Sequence, residues 1–170
     1  MEAQKRREGI ARRLEQAEGP VSASALAKEF AVSRQIIVGD VALLRAAGLD
    51  IAATPRGYIL PAGTTGIRFT VATSHNAAQM EEELHAIVDQ GGTVLDVIVE
   101  HPIYGQITGP LQIASRYDVR QFMARCAEED AQPLSRLTEG IHLHTLTCPD
   151  EAAFLRVQQA LRTLGLLLEA

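Results

Sequence analysis

With 170 residues, 46% hydrophobic and 22% charged, the chain has a globular composition and room for one domain or for a small domain joined to a medium one. No apolar run approaches the ~20 residues that a membrane span requires, and the basic residues of "MEAQKRREG" precede no apolar stretch that would make a secretory signal. The net charge of −5 argues against nucleic acid as a partner of the whole chain, yet it is unevenly placed: residues 1–61 carry nine Lys/Arg against seven Asp/Glu, and the remainder seven against fourteen.

In chain order, the segment 2–17 sets Ile10 and Leu14 at helical spacing amid charge, and Gly19-Pro20 ends it. "VSASALAKEF" then offers Ser22 or Ser24 as an N-cap and Leu26 with Phe30 as an apolar pair one turn apart. After the turn "AVS" comes a third helix with Ser33 as N-cap, Ile37, Val41 and Leu44 on one face, and Gly48 as its stop. Three helices with a short second turn predict a helix-turn-helix. Ser33, Arg34 and Gln35 at the start of the third helix fall where such a helix meets DNA, since Arg pairs with guanine and Gln with adenine in the major groove. "LDIAATPRGYIL" predicts two short strands, 49–53 and 57–60, around a turn tipped by Arg56, a wing suited to phosphate or minor-groove contact. A plain three-helix bundle with a hairpin is the alternative.

"PAGTTG" at 61–66 predicts a linker between a domain at 1–61 and another at 67–170. Beyond it lie a strand at 67–73, a helix capped by Asn76 and stopped by Gly91-Gly92, and an apolar central strand at 93–100. A strand at 106–113 is broken or edged by Pro110, a helix follows with Asp118 as its cap, and "GIHLHTLTC" predicts another strand. An amphipathic helix and a last strand "LLLE" complete the order β-α-β-β-α-β-α-β. The expected class is α+β: a winged helix-turn-helix, then an α/β sensor domain with a mixed sheet. Cys126 and Cys148 are far apart and form no CxxC pair, so they are expected as free thiols in a reducing cytoplasm.

His142 and His144 share one face of their strand, and two unpartnered imidazoles there would each carry a desolvation cost. His75, at the first strand's end, and Glu83, about two turns into the next helix, complete three imidazoles and a carboxylate. That set suits Zn²⁺, Ni²⁺, Fe²⁺ or Mn²⁺. The same spacing is open to solvated helix charges and a chance histidine pair. His101 opens "HPIYG", either as a turn residue or, with Tyr104, as a wall of a pocket beside the metal.

"VSRQIIVGDVALLRAAGLDIAATPRGYIL" resembles the winged helix-turn-helix of the niacin-responsive transcriptional repressors. "IVDQGGTVLDVIVEHPIYG" and "PLSRLTEGIHLHT" resemble their C-terminal sensor, a domain named for its three histidines. The resemblance implies a homodimeric bacterial repressor of NAD biosynthesis or niacin uptake genes, with nicotinic acid as co-repressor and a double-stranded, palindromic DNA operator as its target. It further implies a transition metal on His75, Glu83, His142 and His144, and an effector pocket involving His101 and Tyr104. Arg116, cationic and near a helix start, is a candidate for the effector carboxylate. Three rival readings are a repressor that senses the metal itself, a metal-dependent hydrolase fused to a DNA-binding head, and a dimerisation module with an incidental metal. No further general base or oxyanion feature favours an enzyme.

Overall fold

The computed structural model describes residues 2–61, 66–129 and 132–169. It divides into two compact units, Met1–Gly63 and Thr64–Ala170. Most of the anticipated linker, residues 62–65, lies outside the described residues.

In the first unit, helix α1 (Ala3–Glu15) buries Ile10 and Leu14. Helix α2 (Ala23–Glu29) is capped by Ser22, whose hydroxyl accepts the Ala25 N–H at 3.0 Å, and buries Leu26. Helix α3 (Arg34–Ala46) is capped by Ser33, which accepts the Ile36 N–H at 3.3 Å. Ile37, Val41 and Leu44 of α3 meet Ile10, Leu14, Val21, Leu26 and Ile51 in one core. The third helix also buries a carboxylate, Asp40, which accepts from Arg6 Nε at 2.6 Å and lies 3.6 Å from Arg7 Nη1. A charge held this way is stabilised by its partners and would be costly alone.

Strands β1 (Ala52–Thr54) and β2 (Gly57–Ile59) form the wing; β1 begins three residues later than expected and reaches Thr54, and β2 ends one residue early. Residues 49–51 are not a strand because Leu49 N–H turns back to the Leu44 carbonyl and Ile51 N–H to that of Leu49. Gly57 is required: its φ is +137°, and a Cβ there would sit 2.4 Å from the Val21 carbonyl oxygen.

In the second unit, β3 (Ile67–Ser74), β4 (Thr93–His101), β5 (Gly105–Ile113) and β6 (Ile141–Cys148) form a sheet in the order β3-β6-β4-β5. Every pairing in it is antiparallel, where a mixed sheet was expected. The direct β4–β5 hairpin forces one pairing, and β6 enters between β3 and β4 opposed to both. Pro110, which cannot donate to a ladder, lies on the edge strand β5. The anticipated last strand is reduced to an isolated bridge between Leu167 and Thr73, flanked by hydrogen bonds at 2.9 and 2.8 Å to the edge of β3.

Helices α4 (Met80–Asp89), α5 (Arg116–Glu128) and α6 (Glu151–Thr163) contribute Leu84, Ile87, Val119, Ala153, Val157 and Leu161 to a core with Val71, Val94, Leu146 and Cys148 of the sheet. Phe69 stacks on Phe154 with centroids 4.0 Å apart. Asn76 caps a 3₁₀ turn, Ala77–Gln79, that leads into α4. The cap of α5 is Ser115 rather than Asp118: the Ser115 hydroxyl accepts the Asp118 N–H, and the Asp118 carboxylate accepts the Ala114 N–H at 2.9 Å. Both cysteines are free thiols.

Candidate metal centre and reading helix

The alternation of β6 decides where its histidines point. His142 and His144 are buried on the same side as Leu146 and Cys148. His75 follows the end of β3, tied to the Gly140 turn by its N–H on the Gly140 carbonyl at 3.3 Å. Gly140 has φ +99°, and a Cβ there would lie 2.4 Å from the His75 carbonyl oxygen, so only glycine allows this approach. Glu83, in the first turn of α4, faces inward with 1% exposure beside Leu84 and Ile87, while Glu81 and Glu82 face out.

Each imidazole is oriented by a backbone carbonyl. His75 Nδ1 lies 2.7 Å from the Asn76 oxygen, His142 Nδ1 2.8 Å from that of Gly140, and His144 Nδ1 2.6 Å from that of Asp96. Carbonyls only accept, so each Nδ1 carries a hydrogen and donates it, which leaves every neutral ring with its lone pair on Nε2. The three Nε2 atoms converge on one carboxylate oxygen. Glu83 Oε2 is 2.5 Å from His75 Nε2, 3.2 Å from His142 Nε2 and 3.3 Å from His144 Nε2. The donor atoms of His75, Glu83 and His142 all lie within 4.8 Å of one another. His144 Nε2 is buried without a hydrogen-bond partner.

Without a cation this cluster has no comfortable proton count. Neutral rings aim lone pairs at an anion, one imidazolium neutralises Glu83 but leaves the other two lone pairs aimed at its carboxylate, and three imidazolium ions would bury a net positive charge. A divalent ion removes the conflict, and nitrogen–oxygen donors with carbonyl-anchored Nδ1–H groups are the arrangement metal-ligating histidines adopt. The residues therefore fit such an ion. The electrostatics point the same way. Burial opposes ionisation of Glu83, but the positive charge of a protonated His144 and the hydrogen bonds that protonated imidazoles donate hold its carboxyl well below the usual carboxylate range. Burial likewise opposes the His75 and His144 cations, and the Glu83 carboxylate outweighs it, raising both. The site keeps the Glu83 carboxylate ionised and draws positive charge to it.

A cavity of about 230 Å³ opens from this cluster. His75, Glu83, His142 and His144 line one side, and Met80, Leu84, Val97, Leu111, Phe122, Cys126 and Leu134 supply mostly apolar walls. Neither Phe122 nor Leu134 was singled out by sequence, and Cys126 only as a free thiol; the fold brings α5 and the turn Leu134–Thr138 over the histidines. Thr73 was also missed. It is fully buried, pairs with His142 across β3 and β6, and its hydroxyl donates to Glu83 Oε1 at 2.5 Å.

The other candidates stand elsewhere. His101 and Tyr104 belong to the β4–β5 turn, where His101 Nδ1 accepts the Ile103 and Tyr104 N–H groups at 3.1 and 3.3 Å. Ile103 and Tyr104 are 79% and 75% exposed, and neither His101 nor Tyr104 lines the cavity. Arg116 forms a two-pronged pair with Asp89, at 2.7 and 2.6 Å, on the surface. That carboxylate already occupies its guanidinium fork, and Arg116 is not a cavity residue either. The sequence-level placement of these three at an effector pocket is not what the fold brings together. His85 lies 4.0 Å from Glu81 on the outer side of α4.

In the first unit, Ser33, Arg34 and Gln35 are exposed at the N-terminus of α3, as is Ile36. Arg56 sits in the wing turn, half-buried, its N–H donating to Thr54 Oγ1 at 3.2 Å.

Comparison with known proteins gives two family matches: an HTH domain over residues 6–59 and a 3H domain over residues 68–170. Over 166 residues the chain is 43% identical to the "Probable transcription repressor NiaR" of Thermotoga maritima, covering 98% of this chain and 95% of that protein. Over 168 residues it is 39% identical to the "Transcription repressor NadR" of Bacillus subtilis, covering 96% and 93%. No helix among the described residues is long and apolar enough to cross a membrane.

Proposed function

The chain belongs to the niacin-responsive repressor family, an HTH head joined to a 3H domain, and from that premise we propose that it represses genes of NAD biosynthesis or niacin uptake with nicotinic acid as co-repressor. It is a transcription regulator and not an enzyme. The observation that carries the effector reading is the convergence of three buried Nε2 atoms and Glu83 on the wall of an otherwise apolar cavity.

The cavity, at about 230 Å³, lies below the ~300–1,000 Å³ of sites for drug-sized ligands and suits a single ring. Phe122, Leu111, Val97 and Leu134 offer that ring apolar walls and exclude water. His75, Glu83, His142 and His144 would hold the divalent ion, which when bound supplies a positive charge for the carboxylate or ring nitrogen of a pyridine acid. In the head, Arg34 and Gln35 read base edges, Ile36 offers an apolar contact to a thymine methyl, and Arg56 meets the backbone.

A homodimer acting in the cytoplasm would present two such heads to a palindromic operator, with recognition helices about 34–36 Å apart or a multiple of that. Nicotinic acid then acts by binding one placement of the heads more tightly than the other. Gel-shift titration of an operator fragment, with nicotinic acid and metal added separately and together, tests the reading. Tightened binding only with nicotinic acid present supports it. Tightening by metal alone would make the protein a metal sensor, and no response to either would remove the effector assignment.

A further inference from the structure

We infer that Thr73 is the positioning residue of the metal centre: its hydroxyl takes Glu83 Oε1 and thereby commits Oε2 as the one ligand oxygen. The inference rests on the metal reading above and assigns a role to a residue outside the three-histidine and glutamate set. The two oxygens of Glu83 have different surroundings. Oε2 lies within 3.3 Å of all three Nε2 atoms. Oε1 lies 2.5 Å from Thr73 Oγ1 and 3.2 Å from His142 Nε2 alone.

The Thr73 hydroxyl has one proton. His142 Nδ1 donates to Gly140, so the neutral ring presents only a lone pair at Nε2, 3.0 Å from Thr73 Oγ1. That lone pair and Glu83 Oε1 compete for the Thr73 proton, and the carboxylate, anionic and nearer at 2.5 Å against 3.0 Å, takes it. A short bond from a buried hydroxyl to an anion is among the stronger neutral-to-charged contacts. It fixes the rotation of the carboxyl group about its last bond, a torsion that is otherwise broad.

The backbone holds Thr73 to this task. It pairs opposite His142 in the β3–β6 ladder, so hydroxyl and imidazole keep a fixed register. Thr73 is completely buried, and β-branching restricts its χ1. Valine has nearly the same shape without the hydroxyl, and serine keeps the hydroxyl without the methyl.

The test is a Co²⁺ titration of the full chain followed by visible absorption, with parent, Thr73→Val and Thr73→Ser. Loss of an outer partner to a ligand typically weakens metal binding ten- to a hundred-fold. The expected result is a loss of that size in Thr73→Val together with a changed Co²⁺ spectrum, and near-parental affinity and spectrum in Thr73→Ser. If Thr73→Val does not fold, Thr73→Ala repeats the test. Parental binding and spectrum in the hydroxyl-free variant would overturn the inference while leaving the metal centre intact. So would an equal loss in Thr73→Ser, which would assign the effect to packing of the methyl group. A parent chain that binds no Co²⁺ would overturn the metal reading and the role of Thr73 with it.

Discussion

The two units keep their functional side chains in opposite environments. In the head, Ser33, Arg34 and Gln35 stand in solvent on a helix whose inner face is packed. In the 3H domain, His75, Glu83, His142 and His144 are withdrawn from water, and their polarity is answered by one another and by backbone carbonyls. An exposed reading residue such as Arg34 or Gln35 can be lost without disturbing its scaffold, Ser33 being the exception because it also caps the helix. A buried centre cannot, because each partner left behind is charged or unsatisfied.

The largest effect that sharpens this contrast is expected from His142→Ala. Losing a ligand should weaken Co²⁺ or Ni²⁺ binding by more than the roughly hundred-fold upper figure for outer partners. It should also abolish the rise in melting temperature that saturating metal gives the parent. A variant that still melts higher with metal would place the ion elsewhere. Next comes Arg34→Ala, expected to cost about 1–3 kcal/mol in operator binding and to relax preference at one base pair. Circular dichroism and metal affinity should stay parental. Ser33→Ala should cost about 1 kcal/mol of head stability through the lost cap, read by denaturant unfolding, with metal binding again unmoved. The smallest effects are expected from Arg116→Ala and Tyr104→Ala, which should leave nicotinic acid affinity unchanged in calorimetry. A clear loss in either would mean that residues remote from the cavity in one protomer complete it by another route.

The same contrast explains what the sequence made visible. The head is built from local signals: caps three residues before the N–H groups they accept, apolar spacing of one turn, and a glycine where the wing must pass Val21. Such features are legible residue by residue, and only the wing's exact ends moved. In the 3H domain the histidine pair on β6 was legible because strand alternation puts both on one face. Glu83 was legible as a carboxylate on the helix after β3, although it stands in the first turn rather than two turns in, because Ala77–Gln79 form a 3₁₀ turn ahead of α4. What no local signal marked was long-range: Thr73 beside Glu83, Gly140 against His75, and Phe122 with Leu134 over the histidines. That His101 and Tyr104 lie away from this cavity was not legible for the same reason, since a distinctive short motif does not say what its turn will stand beside. The sheet's wholly antiparallel pairing likewise depends on where β6 inserts, which element order alone leaves open.

The account's central claim is that the buried three-histidine and glutamate cluster holds a metal that forms part of the effector pocket. Calorimetric titration of nicotinic acid into the protein, metal-replete and after chelation, tests it most directly. Saturable binding that disappears on chelation and returns with added metal is the predicted result. Equal binding in both states would contradict it, because the effector would then owe nothing to the cluster that forms one side of the cavity.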